Sequence, residues 1–191
     1  MIKDLAKKSR SYRGYDESRT IARAELLELV DCARYAPSSV NRQPFKYYLA
    51  YTRDQLDKIQ PLTLWARALP QMKLPHPGKR PTGFIVICQE TEWDPDLNRY
   101  SRDVGAVAQT MLLAATEVGL GGIMINNFNR VQVSAALELP EHIIPLLIVA
   151  LGKPDEEIVI REIANGEDTR YYRDEQDVHY VPKRKLEDVI L

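Results

Sequence analysis

Apolar residues recur at helical spacing in Leu26, Leu29, Val30 and Ala33, and Pro37, just after Ala36, closes the helix this predicts. Tyr47-Tyr48-Leu49-Ala50-Tyr51 predicts a short strand, and residues 53–60 an exposed helix. Phe84-Ile85-Val86-Ile87-Cys88 and the stretch from Ile144 to Leu151 are unbroken apolar runs, the pattern of buried strands. Between them, from about Arg102 to Val118, residues Val104, Val107, Ala108, Met111, Ala115 and Val118 share one helix face. Ala106, Leu113 and Ala114 line another side, so a helix that is apolar almost all round is predicted at the centre of the fold. Gly119 stops it, Gly121-Gly122-Ile123-Met124-Ile125 starts a further strand, and residues 130–138 form a short helix. Gly152 and Pro154 break the last core strand. Alternating helices and strands predict an α/β or α+β sandwich.

Two segments stand outside this pattern. Residues 61–82 carry Pro61, Pro70, Pro75, Pro77 and Pro81, too many for a helix or a central strand, so a loop-rich excursion and possible lid is expected. From Arg161 the chain is polar, and Val178 to Leu191 reads as an extended arm. The expected organisation is one core over residues 1–160 and a C-terminal arm over 161–191.

Composition narrows the function classes. Of 191 residues, 45% are hydrophobic and 28% charged, a globular balance. The net charge of −1 gives no global field for nucleic acid or an anionic membrane. Locally, residues 1–23 hold seven Lys/Arg against three Asp/Glu, a cluster suited to a compact anion. Cys32 and Cys88 lack any paired spacing, and His76, His142 and His179 lie far apart, so no metal site is expected. The opening residues lack an apolar signal core and no run reaches membrane-spanning length, so a cytoplasmic protein is expected.

Four motifs bear on chemistry. Arg10-Ser11-Tyr12-Arg13 reads either as a solvated basic turn or as a phosphate fork, with two guanidinium groups and a hydroxyl. Ala36-Pro37-Ser38-Ser39-Val40-Asn41-Arg42-Gln43-Pro44 is either an ordinary turn or a rigid polar loop able to read a heteroaromatic edge. In Gly119-Leu120-Gly121-Gly122 the glycines serve as a helix stop or permit close approach of a ligand to the backbone. Lys183-Arg184-Lys185 is a solvated tail or a second basic cluster.

In this order, these motifs resemble the FMN-dependent nitroreductase family. The likeness covers nearly the whole chain and includes Asp103 to Gly121, Ala150-Leu151-Gly152-Lys153-Pro154 and Pro182 to Leu186. The resemblance implies an α+β three-layer sandwich with a central, mostly antiparallel sheet flanked by helices and an extended C-terminal arm. It implies a homodimer with FMN at the subunit interface, and NAD(P)H as reductant for a small-molecule acceptor such as a nitroaromatic or quinone. Carried over, Arg10, Ser11 and Arg13 hold the FMN phosphate and ribityl chain, and Lys183 and Lys185 close on the same phosphate. Pro37, Ser38, Ser39 and Asn41 line the ring, and Gly121 and Gly122 approach it near N5. Hydride chemistry then belongs to the flavin, and no catalytic side chain is assigned. The segment 61–82 does not match the family's usual substrate-gating helices, which leaves the acceptor open.

Several residues receive plainer readings. His76 is expected to be an exposed loop histidine, Cys32 a small core residue, Asp103 a cap of the central helix, and Tyr12 and Tyr15 packing residues. Trp65 either caps the flavin or anchors its own loop. Two other functions remain open: a module that holds FMN without turnover, and a reductive dehalogenase or ene-reductase branch of the same superfamily.

Overall fold

The computed structural model describes residues 1–191. In chain order its elements are α1 (Ile2–Lys8), α2 (Arg23–Ala33), β1 (Phe45–Ala50), α3 (Arg53–Ile59), β2 (Gly83–Glu90) and α4 (Ser101–Glu117). Then follow β3 (Gly121–Ile125), α5 (Arg130–Ala136), β4 (Ile143–Gly152), β5 (Ile158–Ile163), β6 (Tyr172–Arg173) and β7 (His179–Arg184).

The two unbroken apolar runs become the central strands. β2 and β4 pair antiparallel, with Val86 opposite Ile148, and the edges are taken by β1 and β3 in the order β1-β2-β4-β3. All three pairings are antiparallel. Strand alternation then sorts side chains into two layers. Ile85, Ile87, Val149 and Leu151 meet Leu26 and Leu29 of α2 and Val107, Met111 and Ala115 of α4. Phe84, Val86, Ile148, Ala150 and Ile123 meet Ile59 of α3 and Val133 of α5. Both faces of the sheet are therefore covered, which is why β2 and β4 read as continuous rather than alternating apolar sequence. This is the three-layer α+β sandwich.

Local chemistry fixes the helix ends. Thr52 Oγ1 accepts from the Gln55 amide at 3.4 Å while Gln55 Oε1 accepts from the Thr52 amide at 3.1 Å, a reciprocal cap for α3. Asn129 Oδ1 caps α5 through the Gln132 amide at 3.1 Å. Gly119 ends α4 with φ +79°, a conformation that side chains resist. No helix is long and apolar enough to cross a membrane.

The structure departs from the sequence expectation at three places. Residues 2–8 form a helix that buries none of its residues, so it left no apolar period to read. Much of the expected arm is instead a second sheet on its own chain, with β7 parallel to β5 and antiparallel to β6. Only residues 185–191 continue beyond that sheet, with Leu186, Val189, Ile190 and Leu191 exposed. Cys32 is exposed rather than in the core, since the buried stripe of α2 runs through Leu26, Leu29 and Ala33. The segment 61–82 is irregular as expected, and Trp65 anchors it: the indole N–H donates to Thr63 Oγ1 at 2.8 Å and its ring packs on the α3/α5 layer.

Candidate functional site

The site grows from an open sheet edge. β3 is an edge strand, and Ser11 forms a parallel bridge to Gly122, with the Tyr12 amide donating to the Gly122 carbonyl at 3.2 Å. Packing holds this added strand in place. The Tyr12 ring lies where a side chain on Gly121 would be, 2.5 Å from an ideal Cβ, and Tyr15 fills the same space over Gly152 at 2.6 Å. A Cβ on Gly122 would meet the Ala150 carbonyl oxygen at 2.5 Å and Leu112 at 2.8 Å. The close approach at Gly121 and Gly122 is thus made by the chain's own atoms. The structure gives these glycines a packing reason of their own, beside the expected approach to a flavin ring. Tyr15 is fully buried, donates its hydroxyl to the Tyr12 carbonyl at 2.8 Å, and burial holds its phenol well above the ordinary range.

Beyond Tyr12, the chain is tied to the second sheet. Glu156, between β4 and β5, accepts hydrogen bonds from the backbone amides of Arg13 and, at 3.3 Å, Gly14. The same carboxylate pairs with the Arg173 guanidinium, and the side chains are 5% and 3% exposed. Arg173 also reaches Asp177 at 2.9 Å. The Arg13 guanidinium lies 4.7 Å from the centre of the Tyr171 ring and donates to the Ser11 carbonyl at 2.9 Å. Tyr171 in turn meets His179 edge-on at 5.3 Å.

Ser11, Arg13, Tyr171 and His179 help to wall a cavity of about 320 Å³. Arg10, Ser11 and Arg13 come from the added strand, Gln109 and Leu112 from α4, Met124 from β3, and His179 and Lys183 from β7. Three cations line it and no carboxylate does. Arg10 Nε, Arg13 Nε and both ring nitrogens of His179 are out of contact with solvent and have no hydrogen-bond partner. Buried donors are normally satisfied, so a cluster of orphans around a cationic cavity marks a place for an anion. Burial pulls the Arg13 guanidinium below its ordinary pKa. Burial, and then the charges of Arg13 and Arg173, hold the His179 imidazole down at about 4.

That depression has a consequence for stability. Unfolded, His179 titrates near 6.5, so as pH falls from 6.5 towards 4 the unfolded chain takes up a proton that the folded chain refuses. Stability contributed by this group is full above pH 6.5 and is lost across that window, amounting to about 2 kcal/mol between pH 7 and pH 5. Urea unfolding at the two pH values, compared between wild type and His179→Asn, checks it: the pH penalty shrinks by that amount in the variant.

The 37–44 loop sits elsewhere. Ser38 donates to Asp103 Oδ2 at 3.1 Å and the Ser39 amide donates to the same oxygen at 2.7 Å, so Asp103 ties this loop to the first turn of α4. Asp103 is therefore a loop anchor, while Tyr100 precedes the helix. Val40, Asn41 and Gln43 all have positive φ (48°, 54° and 51°), a costly conformation above all for β-branched Val40, which is 92% exposed. Ser38 lines a separate cavity of about 140 Å³ with Phe45, Tyr47 and Val107, while Pro37, Ser39 and Asn41 face solvent. No residue of 37–43 lines the cationic cavity, and Asp103 and Leu112 are separated by about 13 Å along α4. Replacing Asp103 with alanine removes the shared acceptor, and we expect a loss of about 1–2 kcal/mol, with earliest proteolytic cleavage within residues 38–43. Unchanged cleavage kinetics would contradict the anchoring role.

The remaining expected residues fall as follows. Lys183 lines the cavity, but Lys185 does not, because the chain leaves β7 after Arg184 and enters a turn in which the Asp188 amide donates to the Lys185 carbonyl at 3.2 Å. His76 is partly exposed and meets Asp177 at 3.2 Å, outside the cavity. Sequence reasoning missed Gln109, Glu156, Tyr171, Arg173 and His179. The β-branched run Ile158-Val159-Ile160 was the available sign that the polar tail is folded.

With this geometry in view, the chain compares closely with known proteins. The Nitroreductase family profile matches residues 6–153. The chain belongs to the nitroreductase family. A protein of Archaeoglobus fulgidus named as an NADH dehydrogenase/NAD(P)H nitroreductase is 28% identical over 157 residues, 78% of this chain and 82% of the relative. A like-named protein of Methanothermobacter thermautotrophicus is 24% identical, over 85% of this chain and 82% of its own. Among solved structures, an NADH dehydrogenase/NAD(P)H nitroreductase from Parabacteroides distasonis superposes with a TM-score of 0.65 at 26% identity, covering 82% of this chain and 88% of that one. A Bacteroides thetaiotaomicron structure with a TM-score of 0.65 and 22% identity covers 94% of this chain and 96% of its own, so the likeness of fold extends into the second sheet.

Proposed function

We propose that this nitroreductase-family protein is an FMN-dependent oxidoreductase that takes a hydride from NAD(P)H and passes it to an electron-poor small molecule, such as a nitroaromatic or a quinone. The observation that carries this is the cationic cavity with its unpartnered buried donors. The relatives named for NAD(P)H nitroreductase activity support the choice of reductant. The cavity fits the phosphate end of FMN: a dianion held out of water needs several charge-assisted donors, and Arg10, Arg13 and Lys183 supply them beside the Ser11 hydroxyl. When bound, the flavin supplies the hydride-accepting ring, which is why no nucleophile or carboxylate pair is required of the chain. The work of the chain is to hold the anion, to exclude water with Leu112, Met124 and Tyr171, and to keep the phosphate end in one orientation.

A homodimer completes this reading. Ser38, Ser39 and Asn41, the residues assigned to the ring, do not meet the cationic cavity of their own chain. Their loop is strained and exposed, and Ala106, Leu113 and Ala114 on the outer flank of α4 are only half-buried, though a helix this apolar favours cover on all sides. In the proposed dimer the loop of one copy faces the cavity of the other, and the exposed Leu186 to Leu191 tail lies on the second copy.

The visible spectrum of the purified protein, with identification of any released chromophore, tests the cofactor. Oxidised-flavin bands and released FMN are expected, and NAD(P)H then bleaches them until a quinone or nitroaromatic restores them. A colourless protein that cannot be reconstituted with FMN overturns the reading. Flavin that stays oxidised under excess NAD(P)H leaves a binding module without turnover.

A further inference from the structure

His179 opens β7, and only 1% of its surface is exposed. Its backbone amide is satisfied by the Glu157 carbonyl at 2.9 Å, and its ring packs edge-on against Tyr171 at 5.3 Å. Neither ring nitrogen has a partner, although an imidazole carries at least one N–H in every protonation state. A buried, unpaired donor is costly and is normally satisfied by something. His179 is one of the residues that wall the cationic cavity, together with Arg13 and Lys183.

We propose that His179 is a further ligand-binding residue, a buried ring N–H that donates to the anionic phosphate end of the molecule in the cationic cavity. This rests on the phosphate-ligand reading above. The charged surroundings explain why a histidine is workable there. Arg13 faces it from the added strand, Arg173 and Tyr171 from β6 and the residue before it, Asp177 from the turn before β7, and Lys183 from β7 itself; α4 contributes only uncharged Gln109. Glu156 is engaged with Arg173 and the Arg13 amide. Burial first, and the cations after it, keep the free ring neutral. A bound dianion offsets most of the local positive charge and adds an acceptor, so it favours the protonated ring, and at pH values between the free and bound midpoints binding is accompanied by proton uptake at this residue.

The chain has only three histidines, so their ring signals can be followed by NMR in the intact protein. The protein would be titrated with FMN, with riboflavin, which lacks the phosphate, and with inorganic phosphate, each across pH 4–8. FMN is expected to shift the His179 signal and raise its titration midpoint by at least one unit, with riboflavin doing neither and His76 and His142 unmoved. In parallel, His179→Phe keeps the ring contact with Tyr171 but cannot donate, and should weaken FMN about tenfold without affecting riboflavin. If flavin fluorescence reports FMN binding while the His179 signal and midpoint stay unchanged, or if His179→Phe binds FMN as tightly as wild type, the assignment is overturned and the functional reading stands. If FMN does not bind but inorganic phosphate moves His179, the functional reading falls and the assignment survives. If FMN does not bind and inorganic phosphate does not move His179 either, both fall.

Discussion

Changing Glu156 to glutamine should lower the free energy of unfolding by about 3 kcal/mol, the largest loss expected of any single polar substitution in this chain. Glu156 and Arg173 are both almost wholly buried, and taking one charge away leaves the other without its main compensation in a poor solvent for ions. Asp177, at 2.9 Å, keeps part of the Arg173 charge balanced, which holds the cost near the lower end for a broken buried pair. The amides of Arg13 and Gly14 both donate to Oε1, where the glutamine carbonyl can still accept but without the charge, so the tie between the added strand and the second sheet is weakened. Chemical denaturation checks the magnitude. The double variant Glu156→Gln/Arg173→Met separates the causes: if the orphaned guanidinium is responsible, removing it restores most of the stability. If the double variant is as unstable as the single one, the weakened hydrogen bonds to the Arg13 and Gly14 amides carry the effect instead.

That ion pair also shows where sequence reading stops. β2, β4 and α4 were legible because their signal is local: an unbroken apolar run, or a period of 3.6, states what the element buries. Glu156 and Arg173 have no such signal. Each sits in a polar stretch that resembles solvated surface, and their meaning depends on Arg13, which is 143 residues from Glu156. β5 was missed for a related reason. Its Arg161 and Glu162 face solvent, and its partner β7 lies parallel, so the pairing is made through a long connection that no turn motif announces.

The site divides in the same way. Arg10, Ser11, Arg13 and Lys183 were legible as basic clusters at the two ends of the chain, and the fold brings them to one cavity. Lys185 was not separable from Lys183 by type or spacing; only the end of β7 at Arg184 turns it away. Gly121 and Gly122 were legible as positions of close approach, and within the chain it is Tyr12 and the neighbouring strand that approach them. His179 was invisible because a lone histidine acquires its role from burial and from the charges around it.

Replacing Arg13 with methionine should weaken FMN by at least about 30-fold while leaving the flavin-free protein no less stable than wild type. The two halves of this expectation come from one cause. In the free protein Arg13 is 6% exposed, its guanidinium stands near a second cation in Arg173, and its Nε is unpaired. Its stacking on Tyr171 and its bond to the Ser11 carbonyl offset only part of the cost of burying the charge. Methionine fills much of the same volume over the Tyr171 ring without a charge to desolvate, so its effect on folding is neutral or favourable. An anionic ligand changes the balance, because the buried cation then has a dianion to meet in a medium of low dielectric. Thermal unfolding of the flavin-free protein and fluorescence titration with FMN measure the two halves separately. A stable variant with weakened binding marks Arg13 as a residue kept for its ligand at a cost to the empty fold. A variant that binds FMN as tightly as wild type would move the phosphate to Arg10 and Lys183, and one that unfolds early would give Arg13 a structural role instead.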